Sequence, residues 1–141
     1  MKRLVLSILM VILLSIPTFS IAMSIEEIYE RVKKEMKSID YPLPKIYIYN
    51  DVDFNAIASE LILCIDPHNF YAFHSKGTIL MRCKYVDFYF DEVIAHEMVH
   101  YIQYKQDGDP FIDPMGMFDE RDIREWKARN IQEEFRIMFC K

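Results

Sequence analysis

Residues 91–106 read Asp-Glu-Val-Ile-Ala-His-Glu-Met-Val-His-Tyr-Ile-Gln-Tyr-Lys-Gln, with the pentad His96-Glu97-Met98-Val99-His100 in the middle of the run. The pattern is helical from Asp91 through Gln106, and Gly108 follows as a C-terminal cap. Two histidines at i and i+4 lie one turn apart on the same helical face, so both imidazoles reach one metal ion. The glutamate at i+1 projects from the flank of that face. There Glu97 can take a proton from a metal-held water without itself being a ligand. The plain alternative is a pair of surface histidines beside a solvated glutamate. A mid-helix position, in a segment with its own stop, favours the metal.

Two histidines leave zinc short of a protein ligand, because hydrolytic sites usually show three and an open position. The longer metzincin pattern H-E-x-x-H-x-x-G-x-x-H requires Gly at position 103 and His at 106, where this chain has Gln103 and Gln106. Met115-Gly116-Met117 is therefore not read as a Met-turn. Residues 118–139 instead predict a last long helix. On it Glu125, Ala128, Gln132, Phe135 and Phe139 fall at i, i+3, i+7, i+10 and i+14, a single stripe. An acid on a stripe that is otherwise small or apolar has to be compensated, and a metal does that. Ala128, one turn on, lets two helices approach closely. Ile123, Trp126 and Ile137 give the helix a second apolar side. The ordinary role for Glu125 would be a surface acid paired with Arg129 at i+4.

On these residues the chain resembles the gluzincin branch of zinc metallopeptidases, in which H-E-x-x-H, a loop and a helix with a liganding Glu follow one another. Glu125-Trp126-Lys127-Ala128-Arg129-Asn130-Ile131-Gln132 is similar to the E-x-x-A-x-x-x-Q helix of small zincins of bacteria and phages. The resemblance covers residues 70–135 and is specific only in the H-E-x-x-H and the Glu helix. It implies zinc held by His96, His100 and Glu125, with Glu97 catalytic. It implies an α+β fold: a small zincin-like domain whose few-stranded antiparallel or mixed sheet packs on the H-E-x-x-H helix, with a C-terminal Glu-bearing helix. It also implies an extended peptide or protein substrate on an edge strand, which residues 78–83 would supply. Glu120 is the rival third ligand, since its separation from His100 resembles that in larger gluzincins. It points about 140° away from Glu125, so the two cannot face one metal.

The 141 residues set an expectation of one domain, and 52% hydrophobic residues give ample material for a core. A net charge of −5 argues against a broad nucleic-acid-binding surface, which needs a basic field. Residues 1–22 read as a signal peptide: Lys2 and Arg3, an apolar run at 4–16, Pro17, then Ser20-Ile21-Ala22 as a cleavage pattern. The run falls short of the roughly 20 residues that span a bilayer core, which disfavours an uncleaved anchor and stable membrane insertion. Cleavage removes Lys2 and Arg3 and no acid, leaving −7 on residues 23–141, the expected single domain. The setting is then secreted or periplasmic, where Cys64 and Cys83 flank a strand-turn-strand segment and are a candidate disulfide. Cys140 is the odd one left, and the oligomeric state is open.

Around the pentad, Ser24-Ile25-Glu26-Glu27 is a capping box, and Ile25, Ile28, Val32, Met36 and Ile39 recur at helical spacing before Pro42. Residues 45–49 (Lys-Ile-Tyr-Ile-Tyr) read as a strand, Asn50-Asp51 as a turn, and 54–63 as helix or strand. Residues 66–69 are a turn signal, and 70–73 with 78–83 form a hairpin around Ser75-Lys76-Gly77. Gln103 shares the face of His96 and His100 and could bond behind a ligand, though such an amide is more often solvated. His68 and His74 default to surface positions. Tyr101 and Tyr104 are candidate donors to an oxyanion. Two other classes share these features: a hydrolase of cell-wall peptide or amide bonds, and an exported binding or immunity protein on the same scaffold without turnover.

Overall fold

The computed structural model describes residues 23–61, 70–108 and 120–139, with the backbone alone at 87–89, 120, 138 and 139. Helix α1 (Ile25–Met36) starts at the capping box. Ser24 Oγ accepts the Glu27 N–H at 3.2 Å, and Glu27 Oε2 accepts the Ser24 N–H at 2.8 Å. The helix stops earlier than the Ile39 periodicity suggests. Lys37 turns left-handed (φ 50°), and the N–H groups of Lys37 and Ser38 close on Lys34 and Lys33. Ile39 is left exposed.

Strand β1 (Lys45–Tyr49) follows, then helix α2 (Asp51–Leu61). The segment that reads ambiguously is helical because Asn50 caps it. Its Oδ1 accepts from Val52 N at 3.0 Å and Asp53 N at 2.9 Å. Strands β2 (Ala72–Ser75) and β3 (Thr78–Arg82) form the expected hairpin. Its turn residues Lys76 (φ 46°) and Gly77 (φ 87°) both take positive φ, as a tight two-residue hairpin requires. A 3₁₀ turn (Cys83–Tyr85) leads into α3 (Val86–Asp107), and α4 (Glu120–Phe139) completes an α+β fold.

The sheet order is β1-β3-β2, with β1 parallel and β2 antiparallel to β3. The expectation of an edge strand at residues 78–83 is thereby corrected. Helix α2 carries the chain across so that β1 pairs with the far side of β3. The strand is central, and β2 is the edge that packs toward α3. Ile79 and Met81 of β3 join Ile28 and Val32 of α1, Ile94, Met98 and Ile102 of α3, and Ala128 and Phe135 of α4 in the main core. Ala128 is fully buried, and α4 lies along α3 there. Cys83 is exposed and forms no disulfide among the described residues; Cys64, Cys140 and the leader at 1–22 lie outside them. No helix among the described residues is long and apolar enough to cross a membrane.

A second, smaller core lies under α2, and it centres on a charge. Arg82 is 1% exposed, and its guanidinium sits 4.3 Å from the centroid of the Phe54 ring. Its Nε donates to the Phe70 carbonyl at 2.7 Å, one Nη to Asp51 at 3.0 Å and the other to Asn55. One side chain thus ties β3, α2 and the approach to β2. Arg82→Ala should cost about 2–4 kcal/mol of unfolding free energy, from the packing lost and the acceptors left unmet. Urea unfolding measures this. A loss below about 0.5 kcal/mol, typical of a surface site, would contradict the clamp.

Candidate metal centre

Helix α3 is buried on most of its circumference, which leaves a narrow polar face. His96, His100 and Gln103 share that face because they are spaced by four and three residues. Across from it, α4 presents Glu125 between buried Arg124 and buried Ala128. The small Ala128 side chain lets the helices come close enough for the two sets of side chains to meet.

They meet through four atoms, the two Nε2 nitrogens and both oxygens of Glu125. His100 Nε2 lies 3.1 Å from His96 Nε2 and 3.1 Å from Glu125 Oε2, and His96 Nε2 lies 3.5 Å from Glu125 Oε1. Zinc bonds of about 2.0–2.2 Å at tetrahedral angles set neighbouring donors about 3.3 Å apart. The contacts are close to that spacing, with one Glu125 oxygen facing each ring; one donor atom from each residue lies within 4.8 Å of the others, and the donor set of two imidazoles and a carboxylate suits zinc. Arg129 Nε also donates to Glu125 Oε1 at 3.1 Å, so the surface pairing at i+4 exists beside the contact with the histidines. Glu120 opens α4, and its side chain lies outside the described atoms.

Glu97 sits on the flank, turned towards β2. It is 7% exposed, and its carboxylate accepts the His74 backbone N–H. Burial pushes its pKa above the ordinary value; His96 and His100 counter this only in part. The Glu125 carboxyl is held well below the usual range, first by its hydrogen bond with His100 and then by that with His96. For His100, burial favours the neutral ring. The bond to Glu125 and the charges of Glu97 and Glu125 outweigh that, and its pKa rises.

A cleft of about 750 Å³ opens over these groups, walled by β2 on one side and by α4 on the other. Phe70, Tyr71 and Phe73 give its lining an aromatic part, and Arg121 and Arg129 give it positive charge. Of the two tyrosines, Tyr104 lines the cleft, whereas Tyr101 is 2% exposed and donates its hydroxyl to the Pro42 carbonyl. His74 is not a surface bystander. It lines the cleft, and its Nε2 accepts the Gly77 N–H at 2.9 Å, bracing the hairpin turn. His68 lies outside the described residues. The residue most underrated from sequence is Gln103, which is buried rather than solvated. Its Oε1 lies 3.0 Å from His100 Nδ1, and its Nε2 donates to the Arg124 carbonyl at 3.2 Å. A polar residue one turn past the second histidine, on the same face, was the available signal.

In the metal-free protein these shifts have opposite pH signatures. Glu125, with a lowered pKa, adds stability that is present above its ordinary 4.5 and is lost as pH falls. His100, with a raised pKa, adds stability that is present below its ordinary 6.5 and is lost as pH rises through its folded value. The cluster therefore stabilises the metal-free fold most between those two values. Its urea midpoint should drop from about pH 5.5 to about pH 8.5, and Glu125→Gln should flatten the drop. A midpoint that rises over that interval by the same amount in both proteins would contradict the coupling.

Comparison with protein-family models, with curated proteins and with solved structures finds no match for this chain.

Proposed function

We propose that this protein is a zinc-dependent hydrolase that cleaves peptide bonds. The observation that carries the proposal is the cluster of His96 Nε2, His100 Nε2 and the Glu125 carboxylate, in which one donor atom from each residue lies within 4.8 Å of the others, beside a buried carboxylate that is not part of it. His96, His100 and Glu125 would hold the ion. Bound there, zinc supplies Lewis acidity, which polarises a carbonyl oxygen and lowers the pKa of water towards about 7.

The rest of the chemistry belongs to the chain. Glu97 takes a proton from the attacking water and returns it to the amine that leaves. A general base works best with a pKa near the working pH, and the burial that raises the Glu97 pKa moves it in that direction. The His74 N–H fixes where the carboxylate sits. Substrate would lie along β2. Tyr71 accepts from Arg82 across the ladder, so alternation turns the backbone groups of Ala72 and His74 away from β3; the His74 N–H is taken by Glu97, and the Ala72 groups and the His74 carbonyl face outward. An extended peptide can add to that edge by main-chain hydrogen bonds, with the aromatic residues of the cleft taking a side chain.

The test compares zinc-loaded wild type with Glu97→Gln on a denatured protein and on purified cell-wall fragments, with new termini read by mass spectrometry. Wild type should cleave the protein. Glu97→Gln should keep its zinc and lose about 10²–10⁴-fold in rate. Equal rates in the two proteins would remove Glu97 from the mechanism. Zinc-loaded wild type that releases no product from either material would favour a binding protein instead.

A further inference from the structure

We infer that Gln103 is a positioning residue: it holds the His100 ring with Nε2 facing the donor cluster and ties that ring to the helix that carries Glu125. The inference rests on the metal reading of the site, and it concerns what makes the site tight rather than what the site does.

Elementary donor and acceptor rules fix the arrangement. A backbone carbonyl can only accept, so the Gln103 atom 3.2 Å from the Arg124 oxygen is the amide nitrogen. That removes the usual ambiguity in the orientation of an amide side chain. The atom left facing His100 Nδ1 at 3.0 Å is then the amide oxygen, which can only accept. His100 Nδ1 therefore carries the hydrogen, and Nε2 is the ring nitrogen left for a metal. Nε2 is also the atom 3.1 Å from both His96 Nε2 and Glu125 Oε2. The orientation of one ligand is thus dictated by a backbone oxygen on the helix that carries another.

The mechanical consequence follows from where Arg124 lies. It directly precedes Glu125, so the Gln103 amide joins α3 to α4 at the level of the ligands. Gln103 is 5% exposed, so water competes little for these bonds. The Arg124 side chain strengthens the same joint by donating to the Gly108 carbonyl at 2.9 Å, where α3 ends. His96 gives an internal contrast. Its Nδ1 is buried and has no hydrogen-bond partner among the described residues, so none of them holds that ring from the Nδ1 side. Among the described residues, His100 is held from behind by a hydrogen bond and His96 is not. Because Gln103 is neutral, it orients His100 without adding the negative charge with which a carboxylate partner raises ligand basicity.

The test is zinc affinity, measured by competition with a chromophoric chelator, together with far-UV circular dichroism and the metal-free melting temperature. Gln103→Met keeps the length of the side chain and removes both bonds. It should fold and bind zinc about 10–100-fold more weakly than wild type. Gln103→Glu keeps an acceptor facing Nδ1 but gives up the donor to the Arg124 carbonyl, so it should bind zinc more weakly than wild type and more tightly than the methionine variant. Should the methionine variant not fold, Gln103→Asn, too short to reach His100, carries the same expectation of weakened binding. Wild-type affinity in a folded Gln103→Met or Gln103→Asn protein would overturn the inference, as would a glutamate variant no better than the methionine one. A wild-type protein that binds no zinc at all would instead sink the metal reading beneath it.

Discussion

Two imidazole nitrogens and one carboxylate are held in contact, at 3.1–3.5 Å, by a pair of helices that have little room to separate. This constraint organises the molecule. Fully buried Ala128 on α4 and Ile94, Met98 and Ile102 on α3 belong to one core, so the helices cannot part without opening it. Without a shared cation the three donors are compatible only if protons sit between them. That is why the Glu125 pKa falls while the His100 pKa rises. A divalent ion would replace those protons, and its binding energy would add to the energy of folding.

The neighbouring groups divide into those that hold the cluster and those that act on what comes near it. Gln103 and Arg124 fasten one helix to the other behind His100, and Arg129 contacts the outer oxygen of Glu125. Glu97 stands apart, buried and bonded to the backbone of β2. The hairpin that carries that backbone is braced by the bond from Gly77 to His74, and at its far end Arg82 anchors it to α2. The edge strand, the candidate base and the donors are therefore fixed to one another around the cleft. In zinc hydrolysis such rigidity matters, because the base has to be within hydrogen-bond reach of the proton it takes.

Much of this was legible in the sequence, for physical reasons that differ from place to place. His96 and His100 are set by a local rule, the four-residue spacing on a helix, and needed no knowledge of the fold. Glu125 was reachable because its helix repeats a stripe, and Ala128 marks where that stripe presses on a neighbour. The capping box at Ser24 and the hairpin at Lys76-Gly77 are also local and came through. What failed was non-local. Nothing near residues 78–83 says that β1 will pair with their far side, so a central strand reads like an edge. Gln103 looks like any helical amide until α4 supplies the Arg124 carbonyl. Asn50 reads as a turn, and only the helix behind it makes it a cap.

The central claim is that one zinc ion is shared by His96, His100 and Glu125, and anomalous X-ray diffraction at the zinc edge on crystals of the zinc-loaded protein tests it most directly. The account predicts a single strong peak about 2.0–2.2 Å from both Nε2 atoms and from a Glu125 carboxylate oxygen. No peak between the two rings, or a peak there with the Glu125 oxygens more than about 3 Å away, would contradict it.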